Sequence, residues 1–344
     1  MHMDQRKMEI LSNIVETYIN TGEPVGSKSI ANMLENKVSS ATVRNDMAGL
    51  FDMGLLEQPH TSAGRMPSHL GYRAYVDDLM KPQKLSKKDM CMVDAMFNVR
   101  NPDPDKLLQD AAEALSQITN CAAFSSTITP RSVTIKKVKI IEAGLSTVVM
   151  ILMASNGVIK NKICRVDFMV TKNIISFFET YCNSVLKDQS IKDISENFLR
   201  SMSVSLGEYS RVFNPLLESI GELCREVAAG QYYVMGLNNL LAYEELSPMA
   251  YELFALLNSE EDMQAIIDGC KLDEQLMIGK ENKRMELTAA SVFVKKYRIG
   301  NHTTGALGLV SPMRINYSKI IPYIDYFGDK LSKLLSDVYD VYKE

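Results

Sequence analysis

The chain has 344 residues, of which 46% are apolar and 23% are charged. This composition is typical of soluble globular proteins, and the length predicts two or three domains. The 18 glycines follow no three-residue period, which excludes collagen, and no low-complexity tract indicates wholesale disorder. The formal net charge of −4 excludes DNA recognition by bulk basicity, so any such recognition requires local placement of basic side chains.

Cysteine spacing and hydropathy predict a cytoplasmic protein. The closest two of the six cysteines are 18 residues apart, so no C-x-x-C pair exists and reduced, mostly buried thiols are expected. The first 15 residues lack the apolar stretch of a signal peptide. The longest uncharged stretch, 143–159, is too short and too polar to predict a membrane-spanning helix.

The first 80 residues predict three short helices followed by a two-stranded ribbon. Apolar periodicity favours helices over 4–21, 27–34 and 39–53, with Gly22 ending the first and Ser39 capping the third. Residues 55–59 are extended, 60–64 form a loop tip and 65–67 lead out of it. This order is typical of a winged helix-turn-helix, the first predicted domain (1–80).

The remaining chain alternates between helical and extended patterns. Helices are predicted at 71–80, 105–119, 171–186, along an amphipathic stretch within 188–230, and at 318–342; strands are predicted at 133–141, 146–154, 158–167, 232–235, 275–278, 287–298 and 305–310. A sheet interrupted by a helical block predicts an α+β domain that carries an insertion. Residues 81–101 are predicted to form a linker.

The third helix has a face suited to reading DNA. Val43, Met47 and Leu50 share its apolar side, and the opposite side carries small residues and Asn45. Asparagine can pair with an adenine edge, and Arg44 can reach guanine or a phosphate. The predicted DNA-binding residues are Ser27, Lys28, Ser39, Ser40, Thr42, Arg44, Asn45, His60, Thr61, Ser62, Gly64 and Arg65. The alternative is that Arg44 and Arg65 only solvate the surface and pair with Asp46 or Glu57.

Four segments of the first 80 residues resemble the heat-inducible transcription repressor HrcA family. They are Thr21–Ser27 (TGEPVGS), Val38–Met47 (VSSATVRNDM), Leu55–Arg65 (LLEQPHTSAGR) and Gly71–Asp77 (GYRAYVD). Weaker matches follow in family order at 236–241, 278–282 and 305–310, so the resemblance covers essentially the whole chain. One departure is Ser311–Ile315 (SPMRI), where the family usually has a Gly-Pro-Thr-Arg-Met run.

The resemblance implies a repressor that binds an inverted-repeat operator, CIRCE, as a homodimer upstream of chaperone operons. It implies that the GroE chaperonin maintains the active form and that heat stress diverts the chaperonin. The implied architecture is a winged-helix domain, a GAF-like domain and a dimerising insertion. We assign 102–187 and 251–344 to the GAF-like domain and 188–250 to the insertion.

The amphipathic block at 188–245 is the candidate dimer interface. Its predicted interface residues are Phe213, Leu216, Leu217 and Ile220. An inverted repeat is matched by a twofold protein, which favours a dimer. The alternative is that these apolar residues belong to an ordinary intradomain core.

Other function classes have weaker support. Only four histidines occur, and no nucleotide-binding, hydrolase or zinc-ligand spacing is present, so we expect no enzyme activity, cofactor or metal. A ligand-sensing regulator with Tyr297, His302 or Arg314 in a pocket remains an alternative to a filled structural core. Direct temperature sensing is a third possibility, because 21 methionines favour a plastic interior.

Overall fold

A computed structural model describes residues 3–34, 38–60, 63–97, 104–129, 132–270, 274–299 and 303–340. The chain begins with a winged helix-turn-helix. Its elements are α1 (Gln5–Thr21), α2 (Ser27–Met33), α3 (Ser40–Asp52), β1 (Leu56–Glu57), β2 (Met66–Pro67) and α4 (His69–Ala74), which continues as a π-helical turn (Tyr75–Leu79). The two strands pair antiparallel and form the wing.

Local capping sets the limits of these helices. The Asp4 carboxylate accepts a hydrogen bond from the Lys7 amide at the start of α1. Gly22 ends the helix in the left-handed region at φ 71°, where its amide donates to the Tyr18 carbonyl. Ser39 caps α3 by accepting from the Thr42 amide. The predicted ends of α1 and α3 are therefore confirmed to within about one residue.

The predicted linker 81–101 contains a helix that the sequence analysis missed. After α4 the chain forms α5 (Lys87–Met96), and α6 (Pro104–Thr119) follows. Ser86 and Asp89 make a capping box that starts α5, and Val93 is fully buried. The polar residues at 86–89 are thus a helix start, because their side chains satisfy its first amides.

The remaining elements belong to two sheets and their helices. In chain order they are β3 (Ala122–Ile128), β4 (Ile135–Gly144), β5 (Thr147–Ala154), β6 (Ile159–Arg165), α7 (Lys172–Leu186), α8 (Glu196–Ser205), α9 (Ser210–Ala229), β7 (Gln231–Met235), α10 (Ala250–Asn258), α11 (Glu260–Gly269), β8 (Glu274–Ile278), β9 (Ala290–Ile299), β10 (Thr303–Pro312) and α12 (Tyr317–Asp340). Short 3-10 turns lie at Ile191–Asp193, Gly207–Tyr209, Leu237–Ala242, Glu244–Met249, Gly279–Glu281 and Met285–Leu287.

A five-stranded antiparallel sheet, in the order β7-β3-β10-β9-β8, forms the centre of the second domain. Alternate residues of its strands face opposite sides. Phe293 and Leu307 pack with α6 and α12, whereas Val292 and Ala306 pack with α10 and α11. This arrangement confirms the predicted α+β class, and the GAF-like assignment stays a prediction.

The inserted unit differs from the predicted segment 188–250. It is a three-stranded antiparallel sheet, β4-β5-β6, packed against α7, α8 and α9, and its separate core runs from Val133 to Val227. Within the described residues these strands pair only with one another, while β7 returns to the five-stranded sheet beside β3. The predicted boundaries are therefore wrong: strands assigned to 102–187 share a core with α9.

The predicted dimer-interface residues lie inside this core. Phe213, Leu216, Leu217 and Ile220 are at most 3% exposed. Phe213 stacks on Phe178 of α7 with ring centroids 4.5 Å apart. These four residues are core residues of the inserted unit, as the alternative interpretation held, because α9 buries its apolar stripe against its own sheet.

The winged helix is docked on the second domain through a shared hydrophobic core. Tyr72 of α4 contacts Tyr317 of α12 with ring centroids 5.8 Å apart. Arg73 donates to both oxygens of Glu281 and to the Leu276 carbonyl. The orientation of the winged helix is thus fixed by apolar and ionic contacts.

The cysteines are mostly buried, as the sequence predicts. Five of the six thiols are buried and Cys91 is exposed, and burial raises the pKa of Cys121 to about 11. In the part of the chain that the structure describes, no helix combines the length and apolar character needed to cross a bilayer.

Candidate nucleic-acid interface

The outer face of α3 is exposed, as predicted. Val43, Met47 and Leu50 are at most 4% exposed and anchor the helix. Arg44 and Asn45 lie on the solvent side. Among the described residues Arg44 makes no ion pair, so its five guanidinium donors are available to a ligand.

The first turn of α3 is organised by its cap. The Ser39 hydroxyl lies 3.1 Å from the Thr42 amide and 2.9 Å from the Thr42 hydroxyl. Ser40 is exposed beside them. The hydroxyls of Ser39 and Thr42 therefore fix the helix start, and the positive end of the helix dipole faces outward with them.

An ion pair between a buried aspartate and a half-exposed arginine fixes the middle of α3. Asp46 is 7% exposed, and Arg6 of α1 donates to it through Nε (2.7 Å to Oδ2) and Nη2 (3.2 Å to Oδ1). This two-pronged geometry is the strong form of a carboxylate–guanidinium contact. The alternative in which Arg44 pairs with Asp46 is not observed, because Asp46 points toward α1.

The wing is joined to the loop between α1 and α2. Val25 and Arg65 exchange two backbone hydrogen bonds of 2.8 and 2.9 Å. Gly64 permits this close approach, since a Cβ there would lie 2.5 Å from the Val25 carbonyl oxygen. The Arg65 guanidinium lies over the Phe51 ring, 4.9 Å from its centroid, which stabilises it as a cation–π contact.

Three more of the predicted residues belong to α2 and the wing. Lys28 is exposed and Ser27 half-buried in the first turn of α2, which packs on α3, and His60 is exposed on the wing. Thr61 and Ser62 lie outside the described residues. The DNA contacts of all the predicted residues stay predictions.

Sequence reasoning missed Arg6 and Phe51 at this site, and it considered Asp46 only as a partner of the predicted DNA-binding arginines. Arg6 and Asp46 are 40 residues apart, so no periodicity connects them. Phe51 lies in the last turn of α3 and is 43% exposed, and its partner Arg65 follows only after the wing tip. The sequence does place Asp46 beside the apolar side of α3. A buried aspartate at such a position is expected to pair with a cationic side chain.

Tyr297 and Arg314, which the sequence offered as residues of a ligand pocket, lie in different parts of the structure. Tyr297 is 6% exposed and its hydroxyl donates to the Ser126 carbonyl within the sheet. Arg314 pairs with Glu245 at 2.7 Å and lies against Gly22 of the winged helix. His302 lies outside the described residues. The structure thus places Tyr297 in a core and Arg314 at a domain contact.

The exposed helix face, its cap and the wing define a DNA-binding protein of the winged-helix class. A family model described as "Winged helix-turn-helix transcription repressor, HrcA DNA-binding" matches residues 2–78, and "HrcA protein C terminal domain" matches residues 105–321. The chain belongs to the HrcA family of heat-inducible transcription repressors.

Similar proteins extend over nearly the full chain. The heat-inducible transcription repressor HrcA of Clostridium botulinum (strain Eklund 17B / Type B) is 33% identical, covering 98% of this chain and 99% of its own length. That of Clostridium acetobutylicum is 31% identical, covering 97% and 98%. A crystal structure of a hypothetical protein at 2.2 Å resolution matches with a TM-score of 0.67 at 23% identity, covering 98% and 99% of the two chains, and shows the same fold.

Proposed function

We propose that this chain represses chaperone operons by binding the CIRCE inverted repeat through the outer face of α3. The observation that carries the proposal is the uncommitted pair Arg44 and Asn45 on an exposed, capped helix. A recognition helix of about 10–12 Å diameter fits a major groove about 12 Å wide. Asn45 reads an adenine edge and Arg44 reads a guanine or a phosphate.

The repressor acts as a homodimer, because two half-sites related by a twofold axis require a twofold protein. The exposed face of the inserted sheet supports a dimer. We propose this face as the contact between the two copies, in place of the α9 residues, which are buried. Ile141, Val149 and Ile163 form one row across β4, β5 and β6 on the side away from α7 and α9. Ile163 is 71% exposed, and apolar rows of this kind are typical of protein interfaces.

Ile163→Asp tests this contact. The variant should be a folded monomer, since a charge at the centre of an apolar contact is costly to bury. Val204→Asp is the matched control, because Val204 is 79% exposed on α8 of the same unit. Light scattering reports the mass, and a dimeric Ile163→Asp protein would place the contact elsewhere.

The GroE chaperonin maintains the DNA-binding form in the cytoplasm. Heat stress diverts the chaperonin, and the DNA-binding form is then lost. An exposed apolar hollow on the inserted unit supports contact with a chaperonin. Phe177, Tyr209 and Val212 border this hollow of about 420 Å³. Exposed patches of this kind mark interaction surfaces or aggregation-prone surfaces. A chaperonin that covers the hollow therefore raises the active fraction.

Titration into a labelled duplex tests the function. Purified protein is added to the inverted repeat or to a scrambled duplex at physiological salt, with and without chaperonin. Tight, selective binding by a dimer that increases with chaperonin is expected. Equal affinity for both duplexes by the folded, chaperonin-treated dimer would contradict the proposal and favour a ligand-dependent regulator.

A further inference from the structure

The first turn of α1 lies beside the recognition helix. Arg6 is joined to Asp46, and Lys7 lies over the backbone of α3 at Gly49. A Cβ at Gly49 would be 3.5 Å from Lys7 Cε and 3.7 Å from Nζ, so the end of the lysine side chain lies within van der Waals distance of this part of α3. Two cationic side chains from α1 therefore border α3.

The helical geometry places these cations opposite Arg44. At 100° per residue, with Val43 as the origin, Arg44 lies about 100° to one side, while Asp46 and Gly49 lie about 60° and 120° to the other. Asn45 and Ala48 occupy the outer face between them. Arg44 and the pair Arg6–Lys7 thus border opposite edges of the proposed reading face.

Both cations retain donors for a further partner. Arg6 uses Nε and Nη2 for Asp46, its side chain is 47% exposed, and no described residue accepts a hydrogen bond from Nη1. Lys7 is 3.9 Å from the Asp4 carboxylate, at the outer limit of an ion pair, and its ammonium has three donors. Neither side chain is fully neutralised by direct hydrogen bonds.

A B-form major groove is lined on both edges by phosphates. We propose that Arg6 and Lys7 bind phosphates on one edge of the groove when α3 enters it, with Asp46 as the positioning residue for Arg6. This inference rests on the proposed function, because it takes α3 as the helix in the groove. Phosphate contacts of this kind set the register of a protein on DNA without reading its sequence.

Lys7→Gln removes one of these charges without exposing a buried partner. Arg6→Gln alone leaves the buried Asp46 carboxylate unpaired, so the second variant is Arg6→Gln with Asp46→Asn, which keeps two neutral hydrogen-bonding groups. Lys88→Gln is the control, because Lys88 is exposed on α5 and makes no ion pair among the described residues. Thermal unfolding verifies that each variant is folded.

The readout is the slope of log affinity against log salt concentration, measured for the inverted repeat and for the scrambled duplex. Each lost phosphate contact lowers the magnitude of this slope by about 0.9. We expect that decrease for Lys7→Gln and for the double variant on both duplexes, with unchanged selectivity. The control should keep the wild-type slope.

Wild-type slopes for both variants would overturn the inference. Its failure is distinguishable from failure of the proposed function. The wild-type protein could bind both duplexes equally while Lys7→Gln still lowers the slope. That result would support the phosphate contact and contradict the proposed recognition of the inverted repeat. If the wild-type protein binds neither duplex, both proposals fall.

Discussion

Arg73 and Glu281 form the most completely bonded ion pair between the winged helix and the second domain in the described structure. Arg73 contacts Glu281 through Nε and Nη2 and also reaches the Leu276 carbonyl. Burial alone raises the pKa of Glu281, but hydrogen bonds from Arg73 and the Ile278 amide outweigh it and hold the pKa below 4.5. The charged form is therefore favoured by folding.

The Arg73–Glu281 pair makes the free energy of unfolding depend on pH. Because the folded pKa of Glu281 lies below its unfolded value, its contribution is present above about pH 4.5 and is lost as the pH falls through the folded pKa. Glu281→Gln should be less stable than wild type at pH 7, and the difference should shrink on acidification. Urea unfolding at pH 7 and near pH 3.5 measures it; an equal difference at both pH values would contradict the account.

Among the secondary-structure elements, α9 contributes a long apolar face to the core of the inserted unit. Its long apolar stripe, from Phe213 to Val227, packs against β5, β6 and α7. The stripe is already covered within the chain, which leaves the opposite sheet face as the apolar surface of the unit. Amphipathicity alone predicts that a helix face is buried, and it does not say which element buries it.

Phe213→Ala tests the core assignment. Removing a ring stacked at 4.5 Å on Phe178 should lower the stability of the inserted unit by about 3–5 kcal/mol. Phe177→Ala is the aromatic control, since Phe177 is 49% exposed and should cost much less. Chemical unfolding compares the two, and a Phe213→Ala protein as stable as the control would show that the ring is not part of a packed core.

Local signals account for the elements that the sequence predicted correctly. Caps at Ser39 and Gly22 act within a few residues, so the ends of α1 and α3 could be predicted. β3 was missed because Ala122–Ser126, where Phe124 is the one large side chain, gives no alternating apolar pattern. The Arg6–Asp46 contact and the partition of strands between two sheets depend on tertiary pairing, which periodicity does not encode.

In the whole molecule, two regions hold the outer face of α3 in place. The wing and α1 position α3, while the second domain fixes the winged helix through Tyr72, Arg73 and Tyr317. The inserted sheet exposes an apolar row at which we propose that a second copy binds. A twofold repressor requires all three: a reading helix, a fixed orientation and a contact between copies.

We propose that the outer face of α3 reads the operator sequence. The most direct measurement compares wild type with Arg44→Ala and Asn45→Ala combined, as the ratio of affinities for the inverted repeat and a scrambled duplex at one salt concentration. Each base contact is worth about 1–3 kcal/mol, so the ratio should fall by at least tenfold in a variant that unfolds like wild type. An unchanged ratio would contradict the account and place sequence recognition outside α3.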